Sequence, residues 1–136
     1  MEFLDTNVLI YAASGIPADA KKSELARTIV KRTGIAISVQ VLQEFYNAAR
    51  HPRKLAFTHE EAAAYCEKWK RFTVLEPTIA LFDDALALVK RYQISYYDAA
   101  ILAAARMLKC SVVLSEDLND GQDYHGVRVS NPFRGI

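Results

Sequence analysis

Four acids stand where a folded chain can bring carboxylates together. Asp5 ends the apolar start Met1-Glu2-Phe3-Leu4, Glu44 lies within a helical stretch, Asp98 follows Ser95-Tyr96-Tyr97, and Asp117 comes just after the run Ser111 to Leu114. Two unit charges 4 Å apart repel by roughly 4 kcal/mol at an effective dielectric of 20, so a cluster of carboxylates needs a neutralising partner. A hard divalent cation supplies one. Oxygen donors without His or Cys select Mg²⁺ or Mn²⁺, and Mg²⁺ keeps several waters and takes phosphate oxygens besides. Such ions polarise a phosphate and activate a water, which is the chemistry of phosphodiester hydrolysis.

Each acid also has a plainer reading. Asp5 can cap a helix running from Asn7, and Asp98 can be the reciprocal member of a capping box with Ser95. Asp117 can be a solvated turn residue in Ser115-Glu116-Asp117. At 100° per residue, Val41, Leu42, Phe45 and Ala49 define one apolar face, and Glu44 falls on its flank, an uncomfortable place for an unpaired acid. The separate readings lose ground when all four positions map to one edge of one sheet.

That edge follows from the order of elements. Met1 to Leu4 reads as a strand, Asp5-Thr6-Asn7 as a polar turn, and Val8 to Ala13 as a short helix stopped by Gly15 and Pro17. Ala18 to Arg32 is expected to be helical up to Gly34, Ile35 to Ile37 a buried strand, and Ser38 the cap of a helix to about Arg50. Thr58-His59-Glu60-Glu61 has capping-box spacing and opens a helix toward Phe72. Thr73 to Leu75 is strand-like, Pro77-Thr78 restarts a helix toward Tyr92, and Ser95 opens another over Ala99 to Leu108, apolar on almost every face. Such a helix is central or lies between subunits. Ser111 to Leu114 and Val127 to Val129 complete the strands, with a turn at Asp120-Gly121. Strands alternating with helices give an α/β sandwich on a mostly parallel sheet, in which strand ends and helix starts share the edge where ligands bind.

Composition bounds the rest. The 136 residues, 51% hydrophobic and 24% charged, fit one domain of ordinary globular make-up. No apolar run approaches the roughly 20 residues of a membrane span. The start Met-Glu-Phe-Leu-Asp lacks the basic residues of a signal peptide, and Cys66 and Cys110 form no C-x-x-C pair, so a cytoplasmic protein with free thiols is expected. The net charge of +1 hides a segregation: setting the four acids aside leaves 17 bases against 12 acids. Lys21, Lys22, Arg27, Lys31 and Arg32 sit on one early helix, and Arg50, Arg53 and Lys54 follow the helix of Glu44. Bases around an acidic pit suit a polyanion, although bases on helices are most often a solvated face.

Phe3-Leu4-Asp5-Thr6-Asn7-Val8-Leu9-Ile10-Tyr11, Gln43-Glu44-Phe45, Ser95-Tyr96-Tyr97-Asp98-Ala99-Ala100 and Leu114-Ser115-Glu116-Asp117-Leu118 together resemble the PIN-domain nucleases, and among them the VapC-type toxins of prokaryotic toxin–antitoxin modules. The resemblance spans almost the whole chain. It implies one PIN-like domain over residues 1–136, a three-layer sandwich with a short-stranded, mostly parallel sheet between helices. It implies a Mg²⁺- or Mn²⁺-dependent endoribonuclease with Asp5, Glu44, Asp98 and Asp117 as the acidic site. Asp5 and Asp98 look like the most direct ligands, with Glu44 and Asp117 acting directly or through waters. Thr6, Asn7 and Ser115 look like groups that orient the carboxylates. Glu116, Asp117 and Asp120 lie close together, and Asp117 is favoured by its match to S-x-D. The implied partners are RNA (tRNA, rRNA or mRNA), a cognate antitoxin and a second copy of the chain.

A housekeeping PIN nuclease of RNA processing and a non-cleaving RNA- or protein-binding module are the other readings. The toxin is favoured over the first because the chain is a minimal domain. A haloacid-type phosphatase wants a second Asp two residues after the first, where Asn7 stands, and a receiver domain wants a Lys after a late strand, where none follows Val112 to Leu114.

Overall fold

The computed structural model describes Met1–Ile136. Strand β1 (Glu2–Leu4) leads into helix α1 (Thr6–Ala13), a 3-10 turn at Pro17–Asp19 and α2 (Ala20–Ile29). Then come β2 (Ile35–Ser38), α3 (Val39–Arg50), α4 (His59–Trp69), β3 (Thr73–Leu75), α5 (Ile79–Tyr92) and α6 (Tyr96–Met107). The chain ends through β4 (Val112–Leu114), β5 (Asp123–Tyr124) and β6 (Val127–Ser130).

The sheet has the order β3-β2-β1-β4-β6-β5, and every pairing is parallel except β5 with β6. From β1 the chain steps outward to β2 and β3, then returns across the sheet to β4. Because parallel crossovers are right-handed, the outward and returning helices fall on opposite faces. The packing agrees: α1 contacts α2 and α3, and α3 contacts α4, while α5 packs on α6. This is the expected three-layer α/β sandwich.

Local chemistry sets the helix starts. The Ser38 side chain accepts from the Val41 amide, and Thr78 from Leu81. Thr58 and Glu61 close a complete capping box at α4. Helix α6 is buried from Ala99 through Ala105, so the central alternative holds for it. Its small residues let it lie close against β2, β4 and β6. Phe3, Leu4, Ile37, Val113 and Val127 fill the sheet side of the core, and Phe45 meets Trp69 edge-on at 5.8 Å.

Several boundaries differ from the sequence reading. The helix expected from Ala18 to Arg32 begins only at Ala20 and stops at Ile29, because Pro17 starts a separate 3-10 turn. The helix expected to begin at Val8 already starts at Thr6, capped by Asp5. Strand β5 was not expected; it forms through a two-residue hairpin, His125-Gly126, with positive φ at both positions (53° and 97°). No helix is long and apolar enough to cross a membrane.

Candidate active site

The strand order reverses between β1 and β4, and at such a switch point the strand ends splay into a crevice. Asp5 follows β1 there, and Ser115 follows β4. The Asp5 amide donates to the Leu114 carbonyl at 3.0 Å, prolonging the β1–β4 ladder and bringing the two residues together. Asp5 is buried, and one carboxylate oxygen accepts from the Thr6 amide at 2.7 Å. The other accepts the Ser115 hydroxyl at 2.7 Å. Asp5 is therefore a helix cap and a buried carboxylate on the cleft at once.

Burial lifts the Asp5 carboxyl to about 6 from the ordinary 3.8. The Ser115 hydroxyl and Thr6 amide oppose that rise, and the charges of Glu44 and Asp117 add to it. A carboxylate so placed is disfavoured as an anion until a cation joins it.

Helix α3 carries Glu44 half-buried on the flank of its Val41–Phe45–Ala49 face, as its spacing predicts. The Thr6 hydroxyl donates to Glu44 Oε1 at 2.7 Å, and Gln40, one turn earlier, reaches Oε2 at 3.4 Å. The i,i+4 spacing of Gln40 and Glu44 is the signal for Gln40 that the sequence reading passed over. Gln40 also donates to the Tyr97 carbonyl at 3.2 Å, tying α3 to the start of α6.

Asp98 stands in the first turn of α6. Its amide donates to the Ser95 hydroxyl at 3.2 Å, but unlike Glu61 in α4 its carboxylate does not return the bond to the cap amide. Only half of a capping box forms, so the cap does not account for the carboxylate.

Asn7 organises the segment after β4. Its Nδ2 donates to Asp117 Oδ2 at 3.1 Å and to Ser115 Oγ at 3.4 Å, while its Oδ1 accepts the Glu116 amide at 3.4 Å. The three neighbouring acids have different partners. Glu116 accepts from Lys22 at 2.9 Å and from the Tyr11 hydroxyl, and Asp120 is held by Arg134 at 2.7 Å and the Asn131 amide at 2.8 Å. Asp117 has no cationic partner, and both it and Glu116 line the cleft, whereas Asp120 does not.

Asp5, Glu44, Asp98 and Asp117 all line one cleft of about 780 Å³. They surround it without converging on one point: no three His, Cys, Asp or Glu side chains form a tight ligand set. The donors are oxygens throughout, and each carboxylate oxygen already bonded keeps a free lone pair. An ion that retains waters and takes only one or two carboxylates directly fits such a cleft; a dehydrated cage does not form here.

Of the five bases placed on the early helix, Lys21 and Lys31 are exposed and the other three are engaged within the fold. Lys22 is taken by Glu116, Arg27 by the carbonyls of Ala12 and Ser14 at 3.1 and 2.7 Å, and Arg32 by Glu2. Sequence cannot show these acceptors, which lie on other elements.

The PIN-domain family model matches residues 3–119. The chain belongs to the PIN-domain family. No curated protein matches its sequence. Among solved structures, the fold is similar to a toxin–antitoxin complex from Klebsiella pneumoniae (20% identity, 98% of each chain covered, TM-score 0.71). It is also similar to the Mycobacterium tuberculosis VapC20, a sarcin-ricin-loop-cleaving toxin (20% identity, 86% of this chain and 90% of that one, TM-score 0.68). A third is DNA-bound VapBC from Salmonella typhimurium (24% identity, 95% and 96%, TM-score 0.63). At these identities the likeness concerns the PIN fold.

Proposed function

We propose that this PIN domain is a Mg²⁺- or Mn²⁺-dependent endoribonuclease, the toxin of a type II toxin–antitoxin pair, acting in the cytoplasm. The observation that carries the reading is the buried Asp5 at the sheet's switch point, raised to about 6 and sharing one cleft with Glu44, Asp98 and Asp117. Asp5 and Asp98 would hold the ion, with Glu44 and Asp117 completing its surroundings directly or through waters. When bound, such an ion polarises a phosphate oxygen and lowers the pKa of a water. The chain's own residues do the rest. Ser115 and the Thr6 amide fix Asp5, the Thr6 hydroxyl and Gln40 fix Glu44, and Asn7 fixes Asp117. One of Glu44 and Asp117 would position the attacking water.

The structures from Klebsiella and Salmonella, a toxin–antitoxin complex and a VapBC, support an antitoxin as partner. The Mycobacterium toxin, which cleaves the sarcin-ricin loop, supports RNA as substrate. A homodimer is supported by α5, where Ile79, Phe82 and Leu86 are 77%, 46% and 46% exposed along one stripe.

The deciding experiment incubates labelled RNA with the purified chain in Mg²⁺, in Mn²⁺ and in chelator, beside Asp5→Asn and Asp98→Asn. Cleavage should need metal and be lost in both variants while their folded circular dichroism is kept. Equal cleavage by the variants would assign the activity to a contaminant.

A further inference from the structure

The edge of the sheet opposite the acids has a cavity of its own. It encloses about 450 Å³ between the turn that follows α2 and the starts of β2 and β3. Lys31, Arg32 and Arg71 line it together with Thr33, Gly34 and Phe72, and no acid does. Bases near the last turn of a helix commonly serve its carbonyl end. That role covers only part of each arginine. Arg71 gives one nitrogen to the Val30 carbonyl at 3.0 Å, and Arg32 gives one to the Glu2 carboxylate at 3.1 and 3.2 Å, which leaves further N–H donors on both guanidiniums. It does not cover Lys31, whose side chain is exposed and forms no ion pair.

The backbone adds donors of its own. The Thr33 and Gly34 amides are consecutive in the chain and neither finds an acceptor within the protein, and Gly34 stands in the left-handed region at φ 69°. Successive free amides at such a bend make an anion-binding concavity. The turn is held before any ligand arrives. Its Lys31 and Arg32 amides donate back to the Thr28 and Ile29 carbonyls at 3.3 and 3.0 Å, and the Gly34 carbonyl accepts the Glu2 amide at 2.9 Å.

We infer that this cavity binds the phosphate group of a small phosphorylated molecule, with Lys31, Arg32 and Arg71 on its oxygens and the Thr33 and Gly34 amides as further donors. The inference is independent of the nuclease reading. Guanidinium forks match phosphate oxygens in pairs, and an ammonium adds a point charge. The volume has room for a diphosphate or a nucleotide. Without metal, the carboxylates at the other edge repel a phosphate, so the two edges can be told apart in chelator.

The test titrates the whole chain in chelator with inorganic phosphate, pyrophosphate and ADP by calorimetry. Trp69, the single tryptophan, stacks on Phe72 with ring centroids 6.0 Å apart, so its fluorescence should change along the same binding curve. Pyrophosphate should bind saturably and more tightly than phosphate. Equal affinity for ADP would assign a bare phosphate ligand, and a higher one a nucleotide. Lys31→Ala should weaken pyrophosphate about tenfold, the worth of one hydrogen bond to a charged group. Glu2→Gln, which releases Arg32, should tighten it severalfold, a direction that mere damage to the fold does not produce. Arg53→Ala with Lys54→Ala strips the acidic cleft of its only Lys and Arg residues and should leave the affinity unchanged. No saturable binding of millimolar pyrophosphate, or wild-type affinity in Lys31→Ala, overturns the inference. So does loss of binding in the Arg53 and Lys54 double variant, which would move the ligand to the cleft.

Discussion

Ser115 donates its hydroxyl proton to Asp5 Oδ2 at 2.7 Å, joining two fully or nearly buried residues that are 110 positions apart in the chain. The bond crosses from the end of β4 to the end of β1, and it exists because those two strands are neighbours in the sheet. It favours the ionised Asp5 against the burial that disfavours it. Ser115→Ala should therefore cost about 1.5–3 kcal/mol, the worth of a hydrogen bond to a charged group. It should also move the acid limb of the pH–kcat/KM profile upward, since the bond lowers the Asp5 pKa. Denaturant melts and rate profiles check both; a downward move would contradict the geometry.

The raised Asp5 makes the metal-free protein pH-sensitive in a definite sense. Its folded pKa, about 6, lies above the ordinary 3.8, so its stabilising contribution is complete below about 3.8 and is lost as pH rises through about 6. The difference of about two units corresponds to about 3 kcal/mol. Asp5→Asn, which cannot ionise, should melt above the wild type in chelator at pH 8, and the gap should close by pH 4. Added Mn²⁺ should raise the wild-type melting temperature and leave the variant nearly unmoved. A wild type that melts higher than the variant in chelator at pH 8 would refute the desolvation argument.

Much of this site was legible because its chemistry is local. Ser38 and the Thr58–Glu61 box announce their helices through side-chain oxygens three residues from the amides they bind. The flank position of Glu44 follows from helical spacing alone. What escaped was set by distant partners. Nothing near Lys22 in sequence foretells Glu116, 94 positions on, or that Tyr11 would join them. The same holds for Asp98, whose Ser95 spacing matches a capping box although the structure makes one bond of the two. The two-residue β5 is too short for any period to mark.

Lys22 supports a third prediction. Its ammonium lies between Glu116 and the Tyr11 hydroxyl at 2.9 and 3.3 Å, so it steadies the segment that carries Asp117 and is engaged there in place of a phosphate contact. The pair is partly exposed, and Lys22→Met should cost no more than about 1 kcal/mol. The salt slope of RNA binding should stay as in the wild type, with any loss of activity falling on kcat. A reduced slope would return the early helix to the binding surface.

The exposed stripe of α5 bears on assembly. Ile79, Phe82 and Leu86 follow one another at three and four residues, so they share a face; Ala85 and Leu88 on the other side of α5 are buried, and Phe82 rests one side of its ring against Tyr96 of α6 at 5.7 Å. Full burial of an exposed side chain of this size contributes roughly 1.5–3 kcal/mol, and the part still available is most of that for Ile79 and about half for Phe82 and Leu86. Pairing two copies through this stripe recovers part of it on both chains. Sedimentation equilibrium should give twice the mass of 15.3 kDa for the wild type and the single mass for Leu86→Glu, which sets like charges against each other across a two-fold axis. The variant should keep its monomer fold, because Leu86 is outside the core. A wild type that sediments at the single mass throughout the micromolar range would leave the stripe to the antitoxin.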